Sequence, residues 1–150
     1  MNKQNTTQKI VPFLWFNGQI EEAVKFYTSV FKDARVGNIN PMTATFYLHG
    51  QEFMLLNGGP QFKFNEAVSF FVKCDTQEEV DYFWEKLSAG GEEGRCGWLK
   101  DQFGLSWQVI PNTLGNLMSD KDPAKANRVV QAMLKMNKIE INKLEEAYSL

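Results

Sequence analysis

The chain has 150 residues, 43% of them hydrophobic and 13% aromatic, enough to enclose a core in one domain or in two small packed halves. Its net charge of -2, with 16 basic residues scattered rather than striped, argues against a nucleic-acid partner, and no apolar run approaches the roughly 18 residues that cross a bilayer. Two cysteines, Cys74 and Cys96, are too few for zinc or a disulfide framework and read as small buried hydrophobes.

Residues 1–8 are polar and lack the apolar stretch of a signal peptide, so they read as a disordered N-terminus of a cytoplasmic protein. Lys9 to Phe16 is an apolar strand with two apolar faces, Ile10, Pro12, Leu14 and Phe16 on one, Val11, Phe13 and Trp15 on the other, which predicts cover on both sides. Asn17-Gly18 breaks it. Ile20, Ala23, Val24, Tyr27, Val30 and Phe31 then recur at helical spacing and predict a three-turn amphipathic helix. Three short strands follow, Ala34 to Ile39, Thr43 to Leu48 and Glu52 to Leu56, separated by Asn40-Pro41 and by His49-Gly50-Gln51. The first unit therefore spans residues 9–57 in the order strand, helix, strand, strand, strand.

Residues 58–66, opening on Gly58-Gly59-Pro60, read as a linker. The order then repeats over residues 67–111. Ala67 to Cys74 is a strand, Thr76 and Glu79 have capping-box spacing, and Val80, Phe83, Trp84 and Leu87 form the buried stripe of a helix. After Gly90-Gly91 a short strand leads to a hairpin, with one arm ending near Lys100, a turn at Asp101-Gln102-Phe103-Gly104 and a second arm from Leu105 to Ile110. Glu21 to Tyr27 matches Glu78 to Trp84 in type at a constant offset of 57 residues, so a duplicated βαβββ unit is the economical reading. Ser106, Gln108 and Ile110 share one face of the last strand, where an amide among apolar neighbours needs a protein partner, a water or a ligand. Residues 112–150 form a helical extension: a short turn from Asn112 to Met118, a helix started by Asp122-Pro123 with a stripe from Ala126 to Leu134, and a second run from Ile139 to Tyr148.

Two stretches carry a family likeness, Pro12 to Gly18 with Glu21-Glu22-Ala23, and Gly97 to Gln108, supported by Ala132 to Met136 near the end. On these the chain resembles the PhnB-like family of the vicinal oxygen chelate superfamily, which includes glyoxalase, bleomycin-resistance and dioxygenase folds and whose PhnB-like members are often labelled 3-demethylubiquinone-9 3-methyltransferase. The resemblance implies an α+β fold of two βαβββ modules with curled half-barrel sheets, a pocket inside the curl, a homodimer, and a divalent metal held by one side chain from the first and last strand of each module. Carried over by register, those positions are Val11, Met54, Val68 and Gln108. Two valines and a thioether suit no hard or borderline divalent ion, so no metal and no other cofactor is expected. The methyltransferase label implies adenosylmethionine, yet no glycine-rich strand-to-helix turn occurs at Phe16-Asn17-Gly18-Gln19, at Gly58-Gly59 or at Gly90-Gly91.

Of the remaining candidates, His49 reads as a solvated turn residue, Cys96 lies beside the cation Arg95 but has no histidine to act as its base, and Lys100-Asp101 reads as a surface ion pair. The expected ligand-binding set is Gln108, Ser106, Phe13, Trp15, Phe53, Met54, Val68 and Trp98, with no catalytic group assigned. Three functions stay open at this point: a metal-free small-molecule-binding protein; an enzyme of the same superfamily, either the methyltransferase of the label or a metal-assisted lyase or isomerase; or a protein whose pocket is filled by core aromatics and which acts only through its surface.

Overall fold

In the computed structural model, which describes residues 8–150, the chain forms two units, one ending at Phe64 and one running from Asn65 to Leu150. The expected disordered N-terminus lies outside the described residues except for Gln8, whose amide group brackets Glu52 by accepting from its N–H at 2.9 Å and donating to its carbonyl at 3.1 Å.

The first unit contains β1 (Phe13–Phe16), α1 (Ile20–Val30), β2 (Arg35–Ile39), β3 (Thr43–Leu48) and β4 (Gln51–Asn57). Its sheet runs β1-β4-β3-β2, with β1 parallel to β4 and the other pairs antiparallel. The apolar stripe of α1 is buried at Ile20, Ala23, Val24, Tyr27 and Val30, and so are Leu14, Phe16, Phe46, Phe53 and Leu55 of the strands. Tyr27, Phe46 and Phe53 form a near-parallel ring stack through this core, with centroids 5.6 and 5.2 Å apart. Within its own unit α1 covers one face of the first strand, because a βαβββ unit supplies one crossover helix. Phe13 is 51% exposed and Trp15 is only partly buried. Trp15 lies across Gly58, donates its indole N–H to the Gly59 carbonyl at 2.9 Å and meets Phe62 edge-on at 4.9 Å.

The second unit repeats the plan with β5 (Ser69–Cys74), α2 (Gln77–Ser88), β6 (Glu92–Glu93), β7 (Trp98–Lys100) and β8 (Ser106–Pro111), in the order β5-β8-β7-β6 with β5 parallel to β8. Thr76 caps α2 by accepting from the Glu79 N–H at 3.2 Å. The buried stripes of the two helices match at the expected offset, Ala23 with Val80, Tyr27 with Trp84 and Val30 with Leu87. The strands do not keep that offset. Three residues join β1 to α1 and two join β5 to α2, so the buried strand ends Phe16 and Cys74 correspond at one residue more, which exchanges the faces of the earlier strand positions.

Two turns hold the second sheet. Cys96 and Gly97 both have positive φ, 57° and 84°, and the Trp98 N–H returns to the Arg95 carbonyl at 3.0 Å, the geometry of a type I′ turn. Farther along, Asp101 is 2% exposed rather than a surface partner of Lys100. Its carboxylate accepts from the N–H groups of Phe103 (2.8 Å) and Leu105 (3.1 Å) and from the Trp107 indole (2.9 Å), because the 101–104 turn leaves those donors without strand partners. Lys100 pairs instead with Glu66.

The extension forms α3 (Asn112–Met118), α4 (Pro123–Met133) and α5 (Ile141–Ser149). Asp122 caps α4 with Pro123 at its start, as the dipeptide predicts. Val129, Met136, Ile139 and Leu144 bury themselves against Ile110 and Leu114, so the apolar faces of these helices close on the second sheet of their own chain. Gln77 at the start of α2 pins α5, donating to the Ile139 carbonyl at 3.0 Å and accepting from the Ile141 N–H at 2.8 Å. Among the described residues no helix is long and apolar enough to cross a membrane. The architecture is α+β, two βαβββ units with C-terminal helices, and neither four-stranded sheet closes into a barrel.

Candidate functional site

The second sheet turns Phe70, Trp107 and Val109 towards α2 and its other face towards the extension. Phe70 meets Trp107 edge-on at 5.4 Å within the first layer. The opposite face carries Ser69, Phe71, Trp98 and Gln108, brought together because Phe71 and Trp98 both stand opposite Gln108 in the strand register. Between this face and α3 lies a cleft of about 590 Å³. Phe71, Cys96, Trp98, Gln108 and Ile110 form the sheet wall; Asn112, Leu114, Asn116, Met118 and Met133 are among the residues of the helical wall. That volume is in the range of small-molecule pockets.

At the cleft, Gln108 donates its amide N–H to the Ser69 hydroxyl at 3.0 Å, and no described residue donates to its amide oxygen. No lining side chain of the cleft is charged. Lys100 follows Trp98 on the same face of β7, but Glu66 neutralises it; their hydrogen bond holds the Glu66 carboxyl below the usual carboxylate range and raises the Lys100 ammonium above its own. Burial pushes the Cys74 thiol up to about 12, aided by Glu79 and Asp75, so it stays a protonated core thiol. Cys96 lines the cleft from its strained turn. His49 is an exposed turn residue paired with Asp33 at 2.9 Å.

Of the eight ligand-binding candidates, the cleft brings together Gln108 and Trp98. Phe53 lies in the first core under α1; Phe13, Trp15 and Met54 occupy the other face of the first sheet, where Phe13 pairs with Met54. Val68 falls before β5 and is 63% exposed. By the observed pairing, Ser69 stands to Gln108 as Val11 stands to Met54. Ser106 is fully buried, and its hydroxyl has no hydrogen-bond partner among the described residues. Since a buried unpaired hydroxyl costs about 1–3 kcal/mol, Ser106→Ala should raise stability by roughly 1 kcal/mol, read as a higher urea midpoint with unchanged slope. Phe71, Asn112, Asn116, Met118 and Met133 were not among the candidates. Met133 carried a signal, since it lies on an apolar stripe with no strand of its own to cover.

The donor chemistry does not fit a divalent metal. The first-strand and last-strand positions are Val11 and Met54 in one unit and Ser69 and Gln108 in the other, and no group of three or more His, Cys, Asp or Glu suited to a metal occurs among the described residues. Nor do the residues fit adenosylmethionine. The β1-to-α1 junction has Gly18 alone, and the first amide of α1 donates to the Asn57 side chain at 3.2 Å. Gly91 packs against the backbone of Lys100 and Asp101.

The family model for 3-demethylubiquinone-9 3-methyltransferase matches residues 8–110. Among solved structures, a PhnB protein from Bacillus cereus bearing the same family name is 36% identical, with a TM-score of 0.66 over 69% of this chain and 99% of that one. A glyoxalase-related enzyme from Fulvimarina pelagi is 15% identical, TM-score 0.52, over 71% and 91% of the two chains. The fosfomycin resistance protein FosX of Listeria monocytogenes, solved with Mn(II) and sulfate, is 14% identical, TM-score 0.51, over 65% and 85%. These last two share the fold. No curated protein matches the sequence.

Proposed function

We propose that this chain, which belongs to the 3-demethylubiquinone-9 3-methyltransferase (PhnB-like) family, is a small-molecule-binding protein of the glyoxalase and bleomycin-resistance fold that works without a divalent metal. The observation that carries the reading is the uncharged cleft on the second sheet, with the Gln108 amide as its polar centre where the superfamily places a metal ligand. We further propose that it acts as a homodimer in the cytoplasm. Val36, Ile39 and Met42, 46–65% exposed around the edge strand β2, are the kind of apolar surface a second chain covers, and both cysteines are free.

The alternative reading, an enzyme of the same fold, draws on the family's methyltransferase name and on the Mn(II) bound by FosX. Native mass spectrometry of protein purified without chelator separates the two. The expected spectrum is a dimer carrying a non-metal adduct that is lost in Gln108→Ala. Stoichiometric metal, or turnover of adenosylmethionine, would overturn the binding-protein reading.

A further inference from the structure

We propose that the helical extension makes the cleft selective for uncharged, flat ring compounds whose edge carries both a hydrogen-bond donor and an acceptor, a primary carboxamide on an aromatic ring being the simplest case. This rests on the reading of the cleft as a binding site and adds the ligand's chemical class and the segment that selects it.

The family match ends at residue 110, and the helical wall of the cleft lies wholly beyond it. That wall is a fixed part of the second unit. The N–H groups of Cys96 and Gly97 donate to the carbonyls of Met136 and Asn137, each at 2.8 Å, and the Asn112 amide donates to Asp75 at 2.7 Å. The sheet face that carries Gln108 is thereby given an opposite side within its own unit, and the residues on that side decide what fits.

Charge is excluded by what the lining lacks. A carboxylate or ammonium drawn into the cleft would lose water and meet no counter-ion among its lining side chains; of the nearby charges, Lys100 is held by Glu66, the Arg95 guanidinium donates to the Leu134 carbonyl at 2.9 Å, and the Asp75 carboxylate is engaged by Asn112. Flatness follows from Trp98 and Phe71 beside the thioethers of Met118 and Met133, which adapt to a ring edge. The polar edge follows from two groups without partners. Trp15, Trp84 and Trp107 donate their indole N–H groups to Gly59, Glu93 and Asp101, whereas the Trp98 indole has no acceptor among the described residues. Its register partner Gln108 keeps an amide oxygen that receives no donor from the described residues. A carboxamide answers both, accepting from Trp98 and donating to Gln108.

The test uses benzamide and benzoate, equal in shape and different in charge, titrated into the full chain and followed by the four tryptophan indole N–H resonances. Benzamide should shift the Trp98 signal saturably, and benzoate should bind at least about tenfold more weakly, the equivalent of about 1.4 kcal/mol. Met133→Trp and Asn116→Trp, which fill the helical wall, should each weaken benzamide by a similar factor, with unmoved Trp84 and Trp107 signals reporting an intact fold. Equal binding of both probes at Trp98, lost in Gln108→Leu, would leave the cleft as a binding site and overturn its selectivity. Undiminished binding in both wall variants would overturn the role of the extension. Benzamide that moves only the Trp15 signal would overturn the placement of the binding site itself.

Discussion

Asp101→Ala should cost the chain about 4 kcal/mol, the largest loss expected from any single truncation outside the apolar cores. The carboxylate serves three donors at once, the N–H groups of Phe103 and Leu105 and the Trp107 indole, inside a turn that is 2% exposed at Asp101 itself. Leaving one buried donor unpaired costs about 1–3 kcal/mol, and alanine leaves three, part of which water entering the loosened turn will recover. Asp101→Asn keeps one acceptor oxygen and should lose roughly half as much. Urea unfolding followed by tryptophan fluorescence reads both variants. A loss under 1 kcal/mol for the alanine variant would mean that the turn closes on its backbone bonds alone, from Asp101 N–H to the Leu105 carbonyl and from Gly104 N–H to the Asp101 carbonyl.

Gly97→Ala should be nearly as damaging, by about 3 kcal/mol, for two reasons that add. Its φ of 84° is a left-handed conformation that costs a residue with a Cβ about 1–2 kcal/mol. An added Cβ would also stand 2.5 Å from Cδ1 of Ile110 and 3.0 Å from the Val109 carbonyl, an overpacking worth about 1–3 kcal/mol. Gly97 also donates to the Asn137 carbonyl between α4 and α5, so relief of the clash moves the extension off the sheet and opens the cleft. The readout is a lowered unfolding midpoint together with a shifted Trp98 indole signal. Gly104→Ala is the control: its φ is 86° but nothing lies within 4 Å of its added Cβ, so only the backbone cost applies. Equal losses at the two glycines would show that the contact with Ile110 carries no weight.

The motif from Gly97 to Gln108 is thereby explained by packing more than by chemistry. Gly97 makes room for Ile110, Asp101 and Trp107 lock the turn, and of the run from Gly97 to Gln108 only Trp98 and Gln108 line the cleft. That run carries the family likeness. Most of those types are there because a tight hairpin has few ways to satisfy its buried donors.

Much was legible along the chain because it depends on neighbours in sequence. The stripe of α1, most of that of α2, the Thr76 and Asp122 caps, the turn glycines and the duplicated element order all follow from local spacing and are observed, whereas of the expected α4 stripe Val129 alone is buried and Leu134, past the end of the helix, is 46% exposed. That Gln108 alone of the carried-over positions Val11, Met54, Val68 and Gln108 has an oxygen to offer a metal was equally plain, since residue types are read directly from the chain. The faces of the strands were not. A helix tolerates the offset of 57 because its stripe is broad, whereas one residue fewer between β5 and α2 exchanges every strand side chain from one face to the other, which is how Ser69 and not Val68 comes to join Gln108. Asp101 could not be told from a surface acid, because its burial depends on donors that the folded turn creates. Nor could the spacing of α4 say which surface its apolar stripe would meet, since periodicity defines a buried face without naming its partner. Only the tertiary structure set that face on Ile110 and placed Met133 across from Trp98, and in doing so made a cleft out of an open sheet.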